Sequence, residues 1–284
     1  MRLEKDSFKF DFVGIGAPKC ATTWIYECLQ EHPQIYLAPK DQSRTSFFMM
    51  DDFQERISAY KSFLDKDKIK GVFTVFYWTR KDVPSRIRKH NPNIKLIVSL
   101  RNPVERAYSQ YLHASSLGKK KEKNFEQAMK KDPEGILNPG FYYKHLIKYF
   151  EKFPSKNILI LLYDDIKKDP IGTIQRIYKF LSVDPSFVPE SAYQKVAVTK
   201  FKLTKLGKLI HGKITPLLRK TKWGQRIHQS PWIRKYFYRF AEFYTKGRQI
   251  PPMKKETREY LKRLYREDIE NLEKLIGRDL SFWK

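Results

Sequence analysis

Short apolar stretches recur along the chain, and each ends in charged or turn-forming residues. Phe8 to Gly16 alternates and then runs apolar. A loop of Gly, Pro, Lys and Thr separates it from Trp24, Ile25, Cys28 and Leu29, which recur at helical spacing. That order is strand, loop, helix. Further strands are predicted at Gln34 to Ala38, Gly71 to Tyr77, Lys95 to Leu100 and Asn157 to Leu162, with helical stretches between them. Leu96 to Leu100 and Ile158 to Leu162 are nearly unbroken apolar runs, as in strands covered on both faces of a parallel sheet. Strands alternating with helices predict an α/β layered domain with right-handed crossovers. The polar stretch Asn124 to Asn138 runs into Asn-Pro-Gly and is predicted to be a solvated surface loop.

With 284 residues, 41% of them hydrophobic and 15% aromatic, the chain can build a sizeable core, which excludes a disordered protein. Its length favours one large domain over 1–284. The two cysteines, Cys20 and Cys28, sit close together in the first loop and its helix. A disulfide framework is therefore not expected, and a reducing compartment is. No stretch approaches the roughly 20 apolar residues that span a bilayer, and the charged start has no secretory core, so a cytoplasmic protein is expected.

Charge narrows the partners. Lys and Arg number 57 against 31 Asp and Glu, a net charge of +26, which attracts nucleotides, nucleic acids, acidic glycans or anionic headgroups. From Lys195 to Arg248 fifteen bases face one acid, Glu242. Leu203, Leu206, Leu209 and Ile210, then Ile233, Phe237, Phe240 and Phe243, recur there at helical spacing, so 202–248 is predicted to be a basic amphipathic helical insertion. Two readings stay open. The stripes pack on the main domain under solvated charge, or the face holds a polyanionic acceptor or the inner membrane surface.

The first loop carries the chemistry. Gly14-Ile15-Gly16-Ala17-Pro18-Lys19-Cys20-Ala21-Thr22-Thr23-Trp24 places a lysine and two hydroxyls at a helix N-terminus, whose N–H groups and partial positive charge suit a phosphate or sulfate. It resembles a phosphate-binding P-loop without matching G-x-x-x-x-G-K-[ST], because Pro18 precedes the lysine. The two threonines are expected to cap the helix. Pro-Lys-x-x-Thr-Thr after a strand is closer to the 5′-phosphosulfate loop of sulfotransferases that use 3′-phosphoadenylyl sulfate (PAPS). That family has Lys-x-Gly-Thr-Thr, and Ala21 stands in place of its glycine. The resemblance assigns Lys19, Cys20, Ala21, Thr22, Thr23 and Trp24 to the nucleotide.

After the strand at Lys95 to Leu100 comes Arg101-Asn102-Pro103-Val104-Glu105-Arg106-Ala107-Tyr108-Ser109. Pro103 and Glu105 open a helix there, so that Arg101 and Ser109 can converge on one anion. The stretch resembles the family's 3′-phosphate site, which gives that role to Arg101 and Ser109. Gly140-Phe141-Tyr142, Tyr163-Asp164-Asp165 and the ending Leu272 to Trp283 follow the order of bacterial and heparan sulfate sulfotransferases, so the resemblance covers nearly the whole chain and is weakest over Lys202 to Arg248. It implies a P-loop-like three-layer α/β domain with a central parallel sheet. It also implies sulfuryl transfer from PAPS to a hydroxyl or amine, with adenosine 3′,5′-bisphosphate as product. A carbohydrate or glycan is the expected acceptor. No metal is expected.

In this scheme Lys19 neutralises charge on the leaving phosphate. Asp41, in Lys40-Asp41 where the family has Lys-Glu, is the expected base, with His113 as its substitute. The pattern departs in three further places. The loop 41–46 is longer, Val72 stands where an acid is common, and Ala197 stands where Asn is common, although Lys195 is still expected to reach the nucleotide. Two other classes stay in view. One is a P-loop kinase, with Asp164-Asp165 imitating its metal-binding acid. The other is a weakly active or inactive PAPS-fold protein that binds polyanions. No nucleic-acid module is recognisable.

Overall fold

The computed structural model describes residues 9–38, 47–60, 67–116, 122, 124–194, 201–203, 246–249 and 252–284. The chain divides into two compact units, one of Met1–Ala107, Leu137–Val196 and Glu259–Lys284, the other of Tyr108–Ile136 and Ala197–Arg258.

The first unit begins with β1 (Phe12–Gly16), α1 (Thr22–Glu31), β2 (Ile35–Leu37), α2 (Phe53–Tyr60), β3 (Ile69–Phe73), α3 (Val83–His90) and β4 (Lys95–Leu100). The chain continues through α4 (Pro103–Ser116), α5 (Phe125–Lys131) and α6 (Pro133–Ile136). It then forms α7 (Tyr142–Phe150), β5 (Ile158–Leu162), α8 (Tyr163–Lys168), α9 (Pro170–Leu181) and, after β6 (Phe201–Leu203) and β7 (Lys246–Gln249), α10 (Lys255–Ile276). The first five strands make one parallel sheet in the order β2-β3-β1-β4-β5. Phe12, Phe73, Ile97 and Leu161 point to one face and join a buried cluster with Trp24, Ile25, Cys28 and Leu29 of α1 and Ile174, Ile177 and Tyr178 of α9. The alternate positions Val13, Ile15, Val72, Leu96 and Val98 are fully buried as well. Both faces of the sheet are therefore covered, which is why its strands read as apolar runs. Two glycines keep β1 and β3 in register. Phe12 lies opposite Gly71 and Phe73 opposite Gly14. A Cβ on either glycine would fall 2.1 Å from the facing ring.

Three sequence expectations change. β3 begins at Ile69 and stops at Phe73 instead of reaching Tyr77, because the Thr74 hydroxyl accepts from the Phe76 N–H and turns the chain into the 3-10 turn Val75–Tyr77. Asn124 to Asn138 is not a solvated loop. Asn124 caps α5 by accepting from the Gln127 N–H at 2.9 Å, and Phe125, Ala128, Met129 and Ile136 are buried. Within that second unit, the Phe125 ring meets Tyr108 edge to face and lies tilted against Tyr111, with centroids 5.4 and 5.6 Å away. Leu203, expected on a helical stripe, lies in β6, which pairs antiparallel with β7. The remainder of the predicted insertion, 204–245, lies outside the described residues. Both cysteines are free and buried. Among the described residues no helix is long and apolar enough to cross a membrane.

Candidate functional site

Strand order reverses at β1, with β3 and β2 on one side and β4 and β5 on the other. The crevice beyond the carboxyl ends of β1 and β4 is thus the topological switch point, where open parallel sheets place ligands. The Lys19 loop leaves β1 at that point, and Arg101 follows β4. The two are joined by backbone: the Ala17 N–H donates to the Ser99 carbonyl at 2.9 Å.

The loop backbone is left-handed at Lys19 (φ 68°) and at Ala21 (φ 62°). The expected threonine cap does not form. Ala21 itself occupies the cap position of α1 and makes no side-chain cap hydrogen bond, and the first turn contains no acid. Thr22, Thr23 and Trp24 are the first helical residues, and their N–H groups have no helical carbonyl to meet. They leave a positive helix end available to an anion. Thr23 is exposed and Thr22 half-buried. The Trp24 side chain is only 4% exposed and belongs to the core, so its backbone alone faces this end.

Charge at the site is concentrated and partly dry. Burial first, and then the Arg101 guanidinium, lowers the Lys19 pKa from 10.5 to about 8, with Arg106 adding to the fall. Burial pushes the Cys20 thiol up to about 11, so it is a neutral packing group and not a nucleophile. The Arg101 guanidinium lies over the Tyr163 ring, 4.5 Å from its centroid. An ammonium, a guanidinium and an uncapped helix end form a set of donors without a carboxylate in that first turn. This donor chemistry fits the phosphosulfate and phosphate groups of PAPS.

The expected site residues are distributed over both units and beyond the described residues. Lys19, Cys20, Ala21, Thr22, Thr23 and Arg101 are brought together in the first unit. Ser109 and His113 lie on α4 within the second unit, Ser109 half-buried and His113 exposed. Asp41 and Lys195, with the loop 41–46 and Ala197, lie outside the described residues. Val72 is fully buried opposite Val13 in the sheet. The two acids that could imitate a kinase are already engaged. Asp164 accepts from the Trp283 Nε1–H at 3.1 Å, and Asp165 is paired with Arg278 at 2.8 Å. A cavity of about 450 Å³ adjoins Asp165, Lys168, Asp169, Arg176 and Arg278. There Asp169 caps α9 through the Gly172 N–H and Asp165 pairs with Arg278, so acids already occupy these two donors. Among the described residues no cluster of three or more His, Cys, Asp or Glu could hold a metal ion.

Sequence reasoning missed three residues around this cluster. Tyr163 supports the Arg101 guanidinium, fully buried Arg106 adds charge behind Lys19, and Tyr142 joins the two cationic segments. Tyr142 appeared in the sequence only as part of a family-like pattern, since a contact spanning 122 residues leaves no local signal.

A parallel sheet with a lysine loop and an arginine at its switch point defines an α/β protein built to hold the anionic groups of a nucleotide. The sulfotransferase domain profile matches residues 10–270, and the chain belongs to that family, whose members are PAPS-dependent sulfotransferases. The mouse (Mus musculus) bifunctional heparan sulfate N-deacetylase/N-sulfotransferase 4 is 26% identical over 295 residues, which cover 96% of this chain and 31% of that protein. Mouse heparan sulfate glucosamine 3-O-sulfotransferase 5 is 27% identical over 193 residues, covering 63% of this chain and 55% of the other. The chain thus spans about a third to a half of the length of these relatives. The crystal structure of a sulfotransferase from Alicyclobacillus acidocaldarius shares the fold, with a TM-score of 0.69 at 21% identity over 97% of this chain and 99% of that one.

Proposed function

We propose that this chain transfers a sulfuryl group from PAPS to a hydroxyl or amine of a carbohydrate and releases adenosine 3′,5′-bisphosphate. The observation that carries this reading is the meeting of the Lys19 loop and Arg101 at the β1/β4 switch point. Lys19 and the N–H groups of Thr22, Thr23 and Trp24 hold the 5′-phosphosulfate. Arg101, joined by Ser109, holds the 3′-phosphate. The sulfur–oxygen bond to the 5′-phosphate breaks as the acceptor oxygen or nitrogen bonds to sulfur. Lys19 neutralises the phosphate oxygen that leaves, and Asp41 takes the acceptor proton, with His113 as its substitute. Lys195 completes the nucleotide contacts. No metal ion has a role in this scheme.

A glycan acceptor is supported by relatives named for acting on heparan sulfate and by a net charge of +26, which draws an acidic polymer to the surface. In this reading 1–284 is one sulfotransferase-like domain, and the basic segment 202–248 is an insertion that contacts the glycan or an anionic membrane surface. The test is sulfate-labelled PAPS with N-desulfated and O-desulfated heparan chains and with uncharged oligosaccharides. Label transferred to a glycan supports the proposal. PAPS bound with no label transferred to any of them would contradict the acceptor class.

A further inference from the structure

We infer that Tyr142 is a positioning residue that sets the spacing between the Lys19 loop and Arg101, and that Asp268 holds Tyr142 in place. This rests on the nucleotide reading of the site.

Tyr142 is fully buried at the start of α7. Its hydroxyl donates to the Arg101 carbonyl at 2.7 Å and lies 3.4 Å from the Arg101 N–H. The same oxygen is 3.6 Å from Cys20 Sγ, in the residue after Lys19. One hydroxyl thus meets the backbone of the 3′-phosphate arginine and the side chain beside the loop lysine. Its ring is fixed by neighbours, with Trp78 and Trp283 at centroid distances of 6.1 and 6.0 Å. The α7 N-terminus has no side-chain cap of its own. Asp268 of α10 supplies one, accepting from the Tyr143 N–H at 3.0 Å and the Lys144 N–H at 3.1 Å.

The bridge has an electrostatic reason. Arg101 and Arg106 both act on Lys19 as repelling charges, so the two cationic segments tend to separate before an anion arrives. A neutral hydrogen-bond bridge between them, made by a side chain already locked in the core, holds the spacing without adding charge. A ligand that spans both segments then gains from the prepared geometry, whereas one that touches only the loop gains little.

Tyr142→Phe removes the hydroxyl and keeps the ring. Its binding is compared with wild type for adenosine 3′,5′-bisphosphate, which spans both segments, and adenosine 5′-phosphate, which reaches only the loop. The expected result is about a tenfold loss for the bisphosphate and less than about a threefold change for the monophosphate. In an Arg101→Ala background the same substitution should cost the bisphosphate nothing further. Asp268→Asn, with the ring and hydroxyl intact, should move bisphosphate affinity in the same direction by a smaller factor. Unchanged bisphosphate affinity in Tyr142→Phe, or equal losses for both ligands, would overturn the role. A wild type that does not distinguish the two ligands would overturn the nucleotide reading first, and the role of Tyr142 with it.

Discussion

Lys19 and Arg101 lie close enough for the guanidinium to lower the lysine's pKa. Together with the larger effect of burial, this brings it to about 8. An anion bound between them reverses the repulsion and raises that pKa, so the complex holds the Lys19 proton more tightly than the free protein does. Affinity for adenosine 3′,5′-bisphosphate should therefore be complete below about pH 8 and fall as pH rises through the free-protein value, by up to about tenfold per unit. Calorimetry at pH 8.5 in buffers of different ionisation enthalpy should register proton uptake on binding. Constant affinity from pH 7 to 9.5 would separate Lys19 from the ligand.

The same residue strains the ligand-free fold. Its folded-state pKa of about 8 lies below the ordinary 10.5, so between those values the folded chain binds fewer protons than the unfolded one. Lys19 thus makes stability rise with pH across that window. Lys19→Met, which keeps the aliphatic stem, should stabilise the ligand-free protein at neutral pH by about 1–3 kcal/mol while lowering transfer at least about 100-fold. Thermal unfolding beside a transfer assay reads both. A variant that loses stability and keeps activity would contradict this role.

Ala21 stands at φ 62° where the family pattern has glycine. A Cβ in left-handed backbone costs about 1 kcal/mol. Ala21→Gly should raise stability in denaturant unfolding by about that amount and leave nucleotide affinity within about threefold. A destabilised variant would mean that the Ala21 methyl, which is buried, contributes more by packing than it costs in strain.

Asp41 is the proposed base. Asp41→Asn should lower turnover by about 100-fold with PAPS affinity retained, and His113→Ala should leave turnover within about threefold. An unchanged rate in Asp41→Asn together with a loss in His113→Ala would transfer the proton-accepting role to His113.

The sheet was legible because its central strands β1 and β4 are buried on both faces and β5 is mostly covered. Leu96 to Leu100 and Ile158 to Leu162 carry almost nothing but apolar side chains, and such runs have few alternatives. The Lys19 loop and Arg101 stood out for a different reason, since each directly follows a strand and the loop from Gly14 to Trp24 contains donors without acids. Asn124 misled because a residue that favours turns also caps helices, and the polar letters around Phe125, Ala128 and Met129 hid their helical spacing. The threonine cap failed because Ala21 took the left-handed position first, a choice of backbone that the letters Thr-Thr do not record. Tyr142 and Asp268 were not legible as site residues. Their partners are 41 and about 125 residues away, and only the packed fold brings them together.

Calorimetric titration of the wild-type chain with adenosine 3′,5′-bisphosphate, adenosine 5′-phosphate, and ATP with Mg²⁺ at matched ionic strength decides whether Lys19 and Arg101 form a PAPS site. A site built from Lys19, the α1 N-terminus and Arg101 predicts micromolar affinity for the bisphosphate, roughly −8 kcal/mol, and clearly weaker binding of the other two. Preference for ATP with Mg²⁺, or no nucleotide binding, would contradict it.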